Sequence, residues 1–148
     1  MSKEAARVSK VIKLNNQTTF VTKVVVNNVK EITSCIEKIH NSCPDTIVLI
    51  TCAIIKTNTL LAASAFPDGK QLNNFLADSI ASVIEGEPIF TDGTTPACRV
   101  VEIVYPAESE QYAFKNVDTV NGTAFSLLKK AGLYEEPEDS SECELPDL

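Results

Sequence analysis

The chain has 148 residues, 44% of them hydrophobic and 22% charged. That is enough for one domain that buries a core without disulfides or metals as staples. Its longest apolar stretch, Ile47 to Ile55, is interrupted by Thr51 and is far too short to cross a bilayer, so no membrane partner is expected. The net charge of −7 is local: Glu135 to Leu148 holds seven acids and no base, which leaves 13 acids against 13 bases in a neutral body.

Met1-Ser2-Lys3-Glu4 leads into a charged segment with no cleavable signal. It reads either as a true N-terminus or as the edge of a fragment. Residues 1–14 read as a basic helical arm or linker. Lys3, Arg7 and Lys10 follow helical spacing, Lys13 is one step off that row, and Val8, Val11 and Ile12 lie on another face. A solvated helix end and a phosphate-contacting arm both fit. Residues 15–134 read as an α/β binding domain. Thr18 to Val26 is dense in β-branched residues and predicts a strand. Asn28, with Glu31 three residues on, is a capping-box start for a helix to His40. Val29, Ile32, Cys35, Ile36 and Ile39 make its buried stripe, and Pro44 blocks continuation. His40, the one histidine, falls at the C-terminal end, where it reads as a cap.

Thr46 to Ile55 and Leu60 to Phe66 are short apolar runs separated by Lys56-Thr57-Asn58-Thr59, and they predict a buried hairpin. Pro67-Asp68-Gly69 turns the chain out of it. Lys70 to Glu85 repeats Leu72, Phe75, Leu76, Ile80, Val83 and Ile84 at helical spacing and stops at Gly86. Glu87 to Ala97 reads as a loop, Arg99 to Tyr105 as a strand, and Tyr112 to Val117 is ambiguous. A last helix runs from about Thr119 to Ala131, buries Val120, Ala124, Leu127, Leu128 and Ala131, and is capped by Gly132. Residues 135–148 read as an acidic disordered tail. The fold class is therefore α/β (α+β), a layered sheet with a central apolar hairpin covered by two to three helices.

No motif for catalysis is laid over this frame: there is no P-loop, no G-x-G-x-x-G and no H-E-x-x-H. Five cysteines (Cys35, Cys43, Cys52, Cys98, Cys143) form no C-x-x-C pair. They read as reduced thiols of a cytoplasmic protein, without zinc or a disulfide framework. Asp92-Gly93 fits a β-turn and, as an alternative, a loop that offers backbone N–H groups to phosphate. Phe90, Tyr105, Tyr112 and Phe114 fit core packing; base stacking needs them exposed.

Read together, TFVTKVVVNNVKEITSCIEKIH, SCPDTIVLITCAIIKTNTLLAASAFP and KQLNNFLADSIASVIEGEP resemble the C-terminal C-Ala domain of alanyl-tRNA synthetases. That family has a strand, a helix, a hairpin, a helix ending in glycine, a glycine-rich loop, a strand and a final helix, with a helical segment ahead of them. The likeness covers about Phe20 to Leu133 and rests on element order and length. Of the family's glycine string only Gly86 and Gly93 carry over, with Glu87, Pro88 and Asp92 between them. The resemblance implies a non-catalytic appendage that helps bind tRNA (the alanine-specific one) at its outer corner, while other domains of the parent synthetase perform the chemistry. Weakened or repurposed RNA binding is a version of the same reading. The first phosphate-contacting candidates are Lys3, Arg7, Lys10, Lys13, Lys23 and Lys30, with Arg99 near the loop.

A protein–protein scaffold of the roadblock or longin kind is the alternative, since helix, two strands, helix, strand region and helix from residue 28 onward fit it equally well. A homo-oligomer is compatible with both. The two part over Thr18 to Val26: a parallel partner inside the main sheet favours C-Ala, and an unpaired or peripheral arm favours the scaffold. Neither reading calls for a metal or cofactor.

Overall fold

A computed structural model describes residues 3–67, 74–92 and 97–133. Glu135 to Leu148, Gly69, Gly93 and Cys143 lie outside the described residues, as does the expected helix start at Lys70 to Gln71 and Leu72. The fold is mixed α/β, a five-stranded open sheet in the order β1-β2-β3-β5-β4. The elements run α1 (Lys3–Asn15), β1 (Thr19–Lys23), α2 (Val29–Ser42), β2 (Ile47–Ile54), β3 (Thr59–Ala65), α3 (Phe75–Ile80), β4 (Ile89–Asp92), β5 (Cys98–Val104) and α4 (Ala113–Lys130).

The apolar hairpin forms as expected and sits in the middle of the sheet. β2 and β3 pair antiparallel, Val48 opposite Ala65 through Ile54 opposite Thr59. Side chains alternate between the faces of a strand, yet β3 is buried at every position and β2 at its first six. Neither face of this pair tolerates water, so both are covered. On one side Val48, Ile50, Leu61 and Ala63 pack with Ala5, Val8 and Ile12 of α1 and Ile32, Cys35, Ile36 and Ile39 of α2. On the other, Leu49, Leu60 and Ala62 pack with Phe75, Leu76 and Ile80 of α3 and Val117, Val120, Ala124 and Leu128 of α4.

α1 is thus helical, as read from its spacing, but it is docked. Burying a Val or Ile side chain stabilises by roughly 1.5–3 kcal/mol, and Val8 and Ile12 are both buried. β1 ends at Lys23, three residues short of the expected Val26, and pairs parallel with β2, Thr19 opposite Ile47. α2 starts where the capping box put it. Glu31 N–H donates to Asn28 Oδ1 at 2.9 Å, although the Glu31 carboxylate accepts from the Asn27 backbone at 2.8 Å and not from Asn28.

Three expectations are corrected. The stretch Glu87 to Ala97, read as a loop, contains β4, which pairs antiparallel with β5; four residues beside Pro88 are too few to show strand alternation. Among the described residues, the helix after the hairpin is regular over Phe75–Ile80, passes into a 3-10 turn at Ala81–Val83, and leaves Ile84 exposed. α4 begins at Ala113, six residues before Thr119.

That early start is capped from a distance. Tyr112 at the N-cap offers no side-chain bond. Asn58, at the hairpin tip with φ 50°, supplies it instead: Ala113 N–H donates to Asn58 Oδ1 at 2.8 Å, and Asn58 Nδ2 donates to the Gln111 carbonyl at 2.9 Å. At the other end Gly132 (φ 76°) follows Ala131, with Gly132 N–H to Lys129 O at 3.0 Å and Leu133 N–H to Leu128 O at 2.9 Å. This is a Schellman closure. Asn58→Ala removes a helix cap and puts an ordinary residue in left-handed backbone. It is expected to lower stability by about 1.5–4 kcal/mol in denaturant unfolding, and Asn58→Gly, which relieves only the backbone, by less. Leu76→Ala is expected to cost about 2–5 kcal/mol in the same assay.

Candidate nucleic-acid interface

The basic candidates divide between the two ends of β1. α1 runs back along the sheet, so its start lies at the Lys23 end and its last turn at the Thr19 end. At the Lys23 end Arg7 and Lys23 already have acids. Arg7 pairs with Glu4 at 2.6 Å and donates to the Lys23 carbonyl at 3.3 Å, and Lys23 pairs with Asp118 of α4 at 2.8 Å. Lys3 lines a surface groove with Glu4, Glu31 and Lys38. Lys30 is exposed in the first turn of α2, where the helix dipole is already positive.

The Thr19 end is different. Three helices finish there. α1 closes with Gln17 N–H to Ile12 O at 3.0 Å; α2 is followed by Thr46, whose hydroxyl donates to Gln17 O at 2.9 Å; α4 is followed by Leu133, whose carbonyl accepts the Thr19 hydroxyl at 2.9 Å. Their last turns carry Lys13, His40, Lys129 and Lys130, and Lys10 is one turn back on α1. Cations there offset the negative ends of the helix dipoles, worth about 0.3–1 kcal/mol each. They also make that end of the sheet a basic corner, Lys10 and Lys13 on the face that α1 and α2 cover and Lys129 and Lys130 on the face that α4 covers, with Asp45 as the nearby acid in sequence. Lys10 and Lys13, both exposed, line a groove of about 480 Å³ with Ala6, Ser9, Leu14 and Ser42. Lys129 and Lys130 were missed as candidates because the corner is tertiary, although their place in the last turn of a predicted helix was readable.

Arg99, the second residue of β5, lies in the row that runs through Ser64 and Leu49 to Val21 at the middle of β1. Three strand spacings, roughly 14 Å, separate it from β1. Its guanidinium sits 5.1 Å from the Phe90 ring centroid. Gly86, with φ 75°, precedes β4 at the opposite end, beside no atom that a Cβ would meet. The structure therefore places Lys10 and Lys13 at the same end of the sheet as Lys129 and Lys130, the first two on the face covered by α1 and α2 and the last two on the face covered by α4, and leaves Lys3, Arg7, Lys23, Lys30 and Gly86 elsewhere.

Of the four aromatics, Tyr105 is buried and donates to the Val83 carbonyl at 2.7 Å, and Phe90 packs partly buried against the core. Tyr112 and Phe114 are 49% and 48% exposed, with ring centroids 5.8 Å apart. They stand at the start of α4, whose 18 residues put them about 27 Å from Lys130. His40 reaches the C-terminal turn of α2 but is no cap: its Nδ1 is buried without a hydrogen-bond partner, and the Cys43 N–H closes the helix on Ile39 O at 2.8 Å.

Cys35, Cys43, Cys52 and Cys98 are free and buried. Burial pushes the Cys98 thiol up to about 11, with the Glu37 carboxylate adding to it, and burial likewise raises Cys52. No group of His, Cys, Asp and Glu that could hold a metal occurs among the described residues. No helix among them is long and apolar enough to cross a membrane. No protein-family model matches the sequence, and a search of curated proteins finds no match either.

Thiol titration of the native protein at pH 8 is expected to modify Cys143 alone, with the four buried thiols reacting only on unfolding. Because the fold raises the Cys98 pKa, its contribution to stability is complete below the ordinary thiol value of about 9 and is lost as pH climbs through about 11. Unfolding midpoints measured from pH 8 to 11 are expected to fall for the wild type, and less steeply for Cys98→Ala.

Proposed function

We propose that this chain is a non-catalytic accessory domain of C-Ala type, which helps an alanyl-tRNA synthetase hold tRNA while other domains perform the chemistry. The observation that carries the reading is β1. It pairs parallel with β2 in the main sheet through Thr19 to Lys23, and α2 is the crossover between them. A scaffold whose fold starts at residue 28 has no use for that strand. The element order around it supports the same reading: strand, helix, hairpin, helix, strands, helix, preceded by α1. Four free thiols fit a cytoplasmic setting.

The tRNA backbone meets the basic corner. Lys10, Lys13, Lys129 and Lys130 contact phosphate, position the domain and read no base. Each contact releases counterions, so binding is weak and strongly dependent on salt. Fluorescence anisotropy with tRNA in roughly 50 to 200 mM salt tests this. Four phosphate contacts give a log–log slope of about −3, and a loss on the order of 50-fold or more over that range. Lys10→Ala with Lys13→Ala flattens the slope by about two, whereas Lys23→Ala and Lys30→Ala leave it near the wild type. Absence of salt-sensitive binding at 50 mM, with residues 135–148 present or removed, counts against the reading.

One observation favours the scaffold alternative. Ile55, Ile89, Val104, Tyr112 and Phe114 are all exposed, and they gather around the hairpin tip, where the Asn58 carbonyl accepts Tyr105 N–H at 3.1 Å. Exposed apolar side chains in one place mark protein contacts. A concentration-dependent dimer lost in Tyr112→Ser with Phe114→Ser, alongside no RNA binding, selects that reading.

A further inference from the structure

The acidic segment begins at the basic corner. Leu133, the last described residue, is tied to Thr19 through its carbonyl, and Glu135 to Leu148 follows with seven carboxylates and no base. The last turn of α1 arrives at the same point, with Asn16 N–H donating to Lys13 O and Thr19 three residues later. Those three residues span at most about 11 Å, whereas the 15 residues after Leu133 reach on the order of 50 Å. The groove beside α1 is thus well within range.

That groove suits an acidic, partly apolar occupant. Lys10 and Lys13 project from its rim, Ala6, Ser9 and Ser42 line it, and none of its lining residues is a carboxylate. Leu14 is 72% exposed at its edge. The groove at the other end of α1 balances Lys3 and Lys38 with Glu4 and Glu31 and so offers such an occupant no net positive charge. The acidic segment also carries Leu145 and Leu148, apolar groups for Leu14 and Ala6.

We propose that Glu135 to Leu148 folds back onto the groove between α1 and the end of α2, its carboxylates against Lys10 and Lys13 and a leucine against Leu14. Surface ion pairs are individually weak. A short tether supplies an effective concentration in the millimolar range, which makes weak pairs sufficient. The contact exists without RNA and does not depend on the function proposed above. Where RNA also meets Lys10 and Lys13, the two compete.

The full chain itself supplies the test. Its four described cysteines are buried, so a nitroxide reagent selects Cys143. Paramagnetic broadening is then read on the amides of Ser9, Lys10, Leu14 and Ser42, with no RNA present. At low salt these signals are expected to lose more than half their intensity and to regain it in roughly 0.5 M salt, where screening acts within a few ångströms. Lys10→Glu with Lys13→Glu, both on the exposed side of α1, is expected to abolish the broadening. Adding Glu142→Lys and Glu144→Lys to that variant is expected to restore it. Undiminished signals at low salt overturn the proposal, as does broadening that persists in the lysine variant or lies on another surface.

Discussion

The β2–β3 hairpin has no face for solvent, and the rest of the architecture answers that constraint. A half-buried hairpin alternates apolar and polar residues and needs one covering layer. Here Val48, Ile50 and Leu61 point one way and Leu49, Leu60 and Ala62 the other, all fully buried. Two layers are obligatory. The chain supplies one before the hairpin, as α1 and α2, and one after it, as α3 and α4. The parallel strand β1 follows from the same need, because a helix that crosses from β1 to β2 must lie over the sheet.

The parts that were legible are those whose chemistry is local. Asn28 and Glu31 set the start of α2 within four residues, Gly132 set the end of α4, and the β-branched density of TIVLITCAII marked β2. The parts that were not legible depend on residues far apart in sequence. α4 begins at Ala113 because Asn58, 55 positions earlier, caps it; nothing near Tyr112 signals a helix start. β4 is a strand because β5 offers it an edge, and Phe90 finds cover in the core formed by α3 and α4. α1 looks like an arm by composition and is a core helix because α2 presents an apolar partner to Ala5, Val8 and Ile12.

The candidate site divides the same way. Helical spacing was enough to collect Lys3, Arg7 and Lys10 into one row, yet that row spans two electrostatic settings. Its first members meet Glu4 and Glu31, and its last lines a groove with Ser42 at the end of α2. Lys129 and Lys130 share the Lys13 end of the sheet because the chain after α4 returns to β1, where Thr19 donates to the Leu133 carbonyl, a contact 114 residues apart that no spacing rule contains.

Whether the corner attracts an anion at all is a question of magnitude. Each helix end brings roughly half a negative charge, so three ends bring about one and a half, and Asp45 brings one more. Four lysines exceed that by on the order of one to two positive charges. The surplus is real but small. It accounts for why lysines stand at these helix ends, since a corner with fewer of them is negative. It also limits what the corner can hold. Within a Debye length of about 8 Å at physiological salt, so small a surplus favours an anion that is either multivalent or tethered. A nucleic-acid backbone meets the first condition, and the chain's own Glu135 to Leu148 meets both.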